Sequence, residues 1–136
     1  MTSHAAAAAR VTAAAASAAG AAGTLVTDAP LAHLRWAPAA GAHGRPVLLL
    51  HGIGGGRQAW GDADQATGAA LAAAGFTVLA VDFPGYGLSS RIEPFDLAGL
   101  ACKVVALVDS SGLGPAVLVG HSMGGMVAQE DRKSVV

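Results

Sequence analysis

The chain has 136 residues and a formal net charge of −1, enough for one ordinary domain and with no charge excess to draw nucleic acid or an anionic membrane. Charged residues make up 12% and hydrophobic residues 53%, but much of that surplus is alanine, so the mean hydropathy of +0.51 overstates the core. No apolar run is long enough to cross a bilayer, and a single cysteine, Cys102, rules out a disulfide framework and suits a reducing compartment.

Residues 1–23 hold 13 alanines and no large apolar side chain beyond Met1 and Val11. Such a stretch has little to bury and reads as a disordered leader, or as a start codon placed too early. A signal peptide calls for a cationic start and a Leu-rich middle, whereas Arg10 sits inside the alanine run. The location read from this is cytoplasmic, with a weak export signal as the alternative.

From Thr24 the composition changes, and residues 24–130 read as the folded part. Residues 24–27 and 31–36 are two short strands around the turn signal Asp28-Ala29-Pro30. Residues 38–44 are loop, and 46–50 form a continuous apolar strand of the type buried on both faces of a parallel sheet. It runs into His51-Gly52-Ile53-Gly54-Gly55-Gly56. The pattern predicts a helix over 58–74 closed by Gly75, then a strand over 76–81 that ends in Asp82-Phe83-Pro84-Gly85-Tyr86-Gly87-Leu88-Ser89. A second helix spans 95–110, apolar at Leu97, Leu100, Ala101, Val104, Val105 and Val108. Cys102 lies in it with no CxxC partner and reads as an inert buried thiol. A strand over 116–119 follows, and 120–125 turn the chain into a further helix. Alternating strands and helices from Val47 onward mean an α/β fold on a mostly parallel sheet.

The last six residues, 131–136, break the helix pattern. Asp-Arg-Lys-Ser-Val-Val resembles the in-frame translation of a widely used sequencing adapter, gat cgg aag agc gtc gtg. The expectation is that native protein ends near Glu130 and that the gene continues.

Gly120-His121-Ser122-Met123-Gly124 matches G-x-S-x-G. The pattern is weak alone in a glycine-rich chain, but here it follows an apolar strand and opens a helix. A serine on such a strained turn projects its hydroxyl above the sheet, and Gly120 and Gly124 leave room for the neighbouring strand and helix. The alternative is a helix N-cap at Ser122. The loop after residues 46–50 suits an oxyanion hole made of the Ile53 and Met123 backbone amides. Gly52 and Gly54 let that loop approach a substrate carbonyl, and His51 orders it by hydrogen bonding. A phosphate loop is the competing reading of these glycines, but no Lys-Ser or Lys-Thr follows. Asp82 is expected to tie backbone donors in its turn. It precedes Ser122, and His121 sits beside it, so neither fits as the acid or base of a triad.

These three motifs in this order, HGIGG, DFPGYGLS and GHSMGG, resemble the α/β-hydrolase fold family, and LVGHSMGGMVAQE is similar to its esterase-like members, the enol-lactone hydrolases and cofactor-free haloperoxidase relatives. The likeness covers residues 24–130. It implies the N-terminal half of the fold, with these strands the first five of eight. It also implies that the acid loop, the cap and the catalytic histidine lie outside this chain. Serine at the elbow argues against the haloalkane dehalogenase and epoxide hydrolase branches, which carry aspartate there. The activity implied is cleavage of a small ester or lactone through a Ser122 acyl-enzyme, with no metal and no cofactor. The alternatives are C–C bond hydrolysis, haloperoxidase-like chemistry or acyl transfer on the same scaffold. A further one is that the chain as written is a non-catalytic fragment.

Overall fold

A computed structural model describes residues 23–40, 44–61 and 67–134, with side chains up to Asp131. Residues 1–22 of the Ala-rich leader and the last two residues lie outside the described part. Five strands form one sheet: β1 Thr24–Val26, β2 His33–Trp36, β3 Pro46–Leu50, β4 Thr77–Val81 and β5 Val117–Gly120, in the spatial order β1-β2-β4-β3-β5. The β3–β4 and β3–β5 pairings are parallel, while β1–β2 and β2–β4 are antiparallel. The class is the α/β one expected; the sheet is mixed, because the two N-terminal strands fold back as a hairpin against β4.

β3 and β4 are buried along their whole length, and their side chains alternate between two faces. Leu48, Leu50, Leu79 and Val81 point to one side, where they meet Leu100, Val104 and Leu107 of α2 (Leu97–Ser111) and Val127 of α3 (Met123–Ser134). Val47, Leu49, Val78 and Ala80 point to the other side, against Trp36 and Ala69 and Ala72 of α1 (Thr67–Ala73). From β3 the chain crosses one face to β4, then returns over the opposite face to β5. The carboxyl ends of β3 and β5 therefore border a topological switch point, the place where open α/β sheets bind ligands.

Four expectations need correction. Residues 58–74 are not one helix: a 3-10 turn at Arg57–Trp60 stops at Gly61, whose φ of 102° no helix accommodates, and α1 begins at Thr67 after residues 62–66, which lie outside the described part. The helix over 95–110 starts two residues later, because Asp96 caps it by accepting the Gly99 N–H at 2.7 Å. Cys102 is exposed, not buried, since Leu100, Ala101 and Val104 set the inward face of α2 and Cys102 falls on the other. Finally, α3 does not break at Asp131 but continues to Ser134. Arg and Lys are good helix formers, and a charge run carries no stop signal without Gly or Pro.

Candidate active site at the strand-to-helix turn

The β3–β5 ladder runs up to the elbow itself, ending with the His121 N–H donated to the Leu50 carbonyl at 3.0 Å. The chain must then reverse within two residues to start α3. Ser122 takes a φ of 54° to do so, the one non-glycine residue with positive φ among those described. That backbone costs on the order of 1–2 kcal/mol, and it leaves Ser122 exposed at the sheet edge. Gly120 and Gly124 are dictated by space. A Cβ on Gly120 would lie 2.4 Å from the Gly124 carbonyl, and one on Gly124 would lie 2.1 Å from the Leu50 oxygen.

The loop after β3 abuts this turn. A Cβ on Gly52 would sit 3.2 Å from both the Ser122 Cβ and the His121 Nδ1. Within the loop, Gly55 donates its N–H to the Gly52 carbonyl at 3.1 Å, and the Gly54 N–H faces the Tyr86 hydroxyl at 3.5 Å. Across the turn, the Gly124 N–H is taken by the His121 carbonyl at 3.0 Å. Among the described residues, the amides left without a partner beside Ser122 include those of Ile53 and Met123. The Ile53 side chain is 78% exposed. Met123 opens α3, so no helical carbonyl reaches its N–H, and the helix dipole adds partial positive charge there.

His51 is fully buried. Its Nε2 accepts the Phe83 N–H at 3.0 Å, which leaves Nδ1 protonated to donate to the Gly52 carbonyl at 2.7 Å. The ring also packs against Phe83 and edge-on to Tyr86, with centroids 4.9 and 4.8 Å away. Burial pushes its pKa below the ordinary histidine value, against the opposing pull of the Gly52 carbonyl and the Asp82 charge. With both ring nitrogens engaged, His51 is not free to act on Ser122. His33 is likewise buried, on β2 with Nδ1 on the Leu31 carbonyl. His121 is exposed beside Ser122.

Asp82, also fully buried, accepts the Leu88 N–H at 3.1 Å. It does more than close its own turn: its other contacts are the Arg57 N–H at 2.7 Å and the Arg57 guanidinium at 2.5 Å. A Cβ on Gly87 would collide with the same carboxylate at 2.2 Å. Ser89 adds a second tie, donating its hydroxyl to the Asp82 carbonyl at 2.6 Å and accepting the Ala32 N–H at 2.9 Å. The sequence alone carried no signal for Arg57, which pairs with a residue 25 positions away. Ser89 and Tyr86 were visible within DFPGYGLS, without their partners.

Residues 47–136 match the model of the Alpha/beta hydrolase family. The chain belongs to that family. Among relatives of this alpha/beta hydrolase, the dihydrolipoyllysine-residue acetyltransferase component of the acetoin cleaving system of Pseudomonas putida is 41% identical over 70% of the chain and 25% of its own length. Epoxide hydrolase A of Mycobacterium tuberculosis is 42% identical over 65% of the chain and 27% of its own length. Relatives also include a pimeloyl-[acyl-carrier protein] methyl ester esterase of Neisseria meningitidis and a 2-hydroxy-6-oxononadienedioate/2-hydroxy-6-oxononatrienedioate hydrolase of Burkholderia vietnamiensis, at 36% and 39% identity. In three dimensions, an epoxide hydrolase from an endophytic Streptomyces superposes with a TM-score of 0.67 at 28% identity, over 84% of this chain and 33% of the other. The chain thus spans about a quarter of the length of the curated relatives it matches.

Among the described residues no group of three or more His, Cys, Asp and Glu side chains could hold a metal ion, and no helix is long and apolar enough to cross a membrane.

Proposed function

We propose that this alpha/beta hydrolase cleaves a small ester or lactone through a covalent acyl-enzyme on Ser122. The observation that carries the reading is the exposed, positive-φ Ser122 with the unpartnered Ile53 and Met123 amides beside it. The serine oxygen adds to the carbonyl carbon, the carbonyl oxygen becomes an oxyanion between the two amides, and the alcohol leaves with a proton. Water then releases the acid. The base that takes the serine proton, and the acid that orients it, are proposed to come from residues beyond this chain. His51 and His33 are committed to backbone partners, and without a base Ser122 keeps the weak nucleophilicity of an alcohol. The 136-residue chain is therefore proposed to be inactive by itself, and native sequence to continue past Glu130.

A second reading keeps the same nucleophile and changes what is cleaved or what accepts the acyl group. It is favoured by relatives named as a 2-hydroxy-6-oxononadienedioate/2-hydroxy-6-oxononatrienedioate hydrolase and as a dihydrolipoyllysine-residue acetyltransferase component. Epoxide opening, the activity in the names of other relatives, is disfavoured because Ser122 stands where that branch carries aspartate.

The test is hydrolysis of short p-nitrophenyl esters by the gene product extended past Glu130, with Ser122→Ala as control. A loss of at least about 10³-fold is expected on removing the nucleophile. Equal rates for the two proteins reject the proposal.

A further inference from the structure

We propose that the Tyr86 hydroxyl is a specificity-determining donor, directing its proton to a second oxygen of the substrate, on the acyl carbon next to the scissile carbonyl. The substrate class narrows accordingly, from a plain alkyl ester or lactone to one with a 2-alkoxy, 2-hydroxy or 2-oxo acyl part. This rests on the reading that the Ile53 amide serves the oxyanion, and it gives the substrate a second point of attachment.

The Gly54 N–H can only donate, so in its 3.5 Å contact with Tyr86 the phenol oxygen is the acceptor and the phenol proton is left over. No described residue accepts that proton. The ring packs against the core side chains on one face of the sheet and is half-buried, an apolar body with a polar tip. A phenylalanine would fill the same space, so the hydroxyl is the part that packing does not explain.

Its place beside the site follows from the loop. Gly54 comes directly after Ile53, and successive backbone nitrogens lie at most about 3.7 Å apart. The hydroxyl therefore stands within about 7 Å of the Ile53 nitrogen. A carbonyl oxygen held by Ile53 takes up about 3 Å of that span, and an O–H···O bond at the other end about 2.8 Å. An oxygen on the adjoining acyl carbon, two bonds from the carbonyl carbon, can bridge what is left. A contact to the acyl part also acts in both halves of the reaction, since the alcohol leaves after the first.

The turn that carries Tyr86 holds it still. Its N–H donates to the Phe83 carbonyl at 2.9 Å, and its carbonyl accepts the Ser89 N–H at 3.0 Å. Gly85 and Gly87 on either side take φ of 84° and 49°, and the ring lies edge-on to the fully buried His51, with centroids 4.8 Å apart. A donor ordered before the substrate arrives loses little entropy on binding, and so discriminates well.

The experiment compares p-nitrophenyl methoxyacetate with p-nitrophenyl butanoate, which differ by an ether oxygen in place of a methylene. Both are given to the gene product extended past Glu130 and to its Tyr86→Phe variant. In the parent, the ratio of kcat/KM for the two esters is expected to exceed the ratio of their hydroxide-catalysed rates roughly fivefold, the effect of one hydrogen bond to an uncharged acceptor. Tyr86→Phe should bring the ratio down to that of hydroxide; if this variant does not fold, Tyr86→Met, which also lacks a donor, replaces it. A hydroxyl that only held the Gly54 amide would slow both esters alike. An unchanged ratio in the variant therefore overturns the proposal, as does a parent ratio no higher than that of hydroxide. Mass mapping of acid-quenched protein separates this from the reading it rests on. Acylated Ser122 with an unmoved ratio rejects the role of Tyr86 alone, and turnover without acylated Ser122 rejects both.

Discussion

Gly124 lies so close to the Leu50 carbonyl that a Cβ on it would meet that oxygen at 2.1 Å. The contact joins the end of the buried strand β3 to the first turn of α3, and so sets how tightly the Ser122 turn can close. Gly124→Ala must push helix from strand. The expected loss is about 2 kcal/mol or more, as for other overpacked sites, read as a lower urea midpoint. A variant as stable as the parent would mean that helix and strand are not in contact at this point.

The Arg57–Asp82 pair joins the loop after β3 to the turn after β4, with Asp82 fully buried and Arg57 16% exposed. Asp82→Asn keeps the shape, removes the charge and turns an amide toward donors. Removing one member of a largely buried pair should cost about 3 kcal/mol. Arg57→Ala in the same background should then add little, because the two act as one unit. Additive losses in the double-mutant cycle would contradict this coupling.

Burial lowers the pKa of both His51 and His33 from the ordinary value of 6.5. A folded pKa below the unfolded one means that the unfolded chain binds protons first. The resulting stability is complete above about pH 6.5 and is lost as pH falls from there through the folded values. Around His51 the charged groups are Asp82, which raises its pKa, and Arg57, which pairs with Asp82. Around His33, Arg35 lowers the pKa and Asp28 raises it. Denaturation midpoints should therefore fall between pH 7.5 and pH 5. Substituting the two histidines together should flatten that slope; a slope unchanged by the double substitution would assign the effect to carboxylates.

β5 pairs with β3 alone among the described residues, and Val119 on it is 38% exposed. Such an apolar edge offers unpaired backbone groups to another chain. The 136-residue chain should self-associate, and Val119→Lys should reduce that association, as read by sedimentation. A monomeric, cooperatively melting 136-residue chain would show the edge to be harmless.

What could be read from the sequence was what local pattern decides. β3 and β4 are short, almost wholly apolar runs that stop at His51 and Asp82, so they were legible to within a residue, and G-x-S-x-G announced its own turn. Partnerships across the sheet were not legible. Arg57 meets Asp82 only because β3 and β4 lie side by side, and the His51–Phe83 bond has the same origin. The exposure of Cys102 turned on the rotation of α2, where Leu107 is buried while Val105 and Val108 are only half-buried. A list of apolar positions does not settle that rotation.

Ser122 is proposed to carry the acyl group. This is tested most directly by mixing the gene product extended past Glu130 with a short p-nitrophenyl ester, quenching in acid and mapping the adduct by mass spectrometry. A burst of p-nitrophenol of about one per site is expected, together with an acyl mass on the peptide that contains Ser122. An acyl mass on any other residue, or turnover with Ser122 never modified, would contradict it.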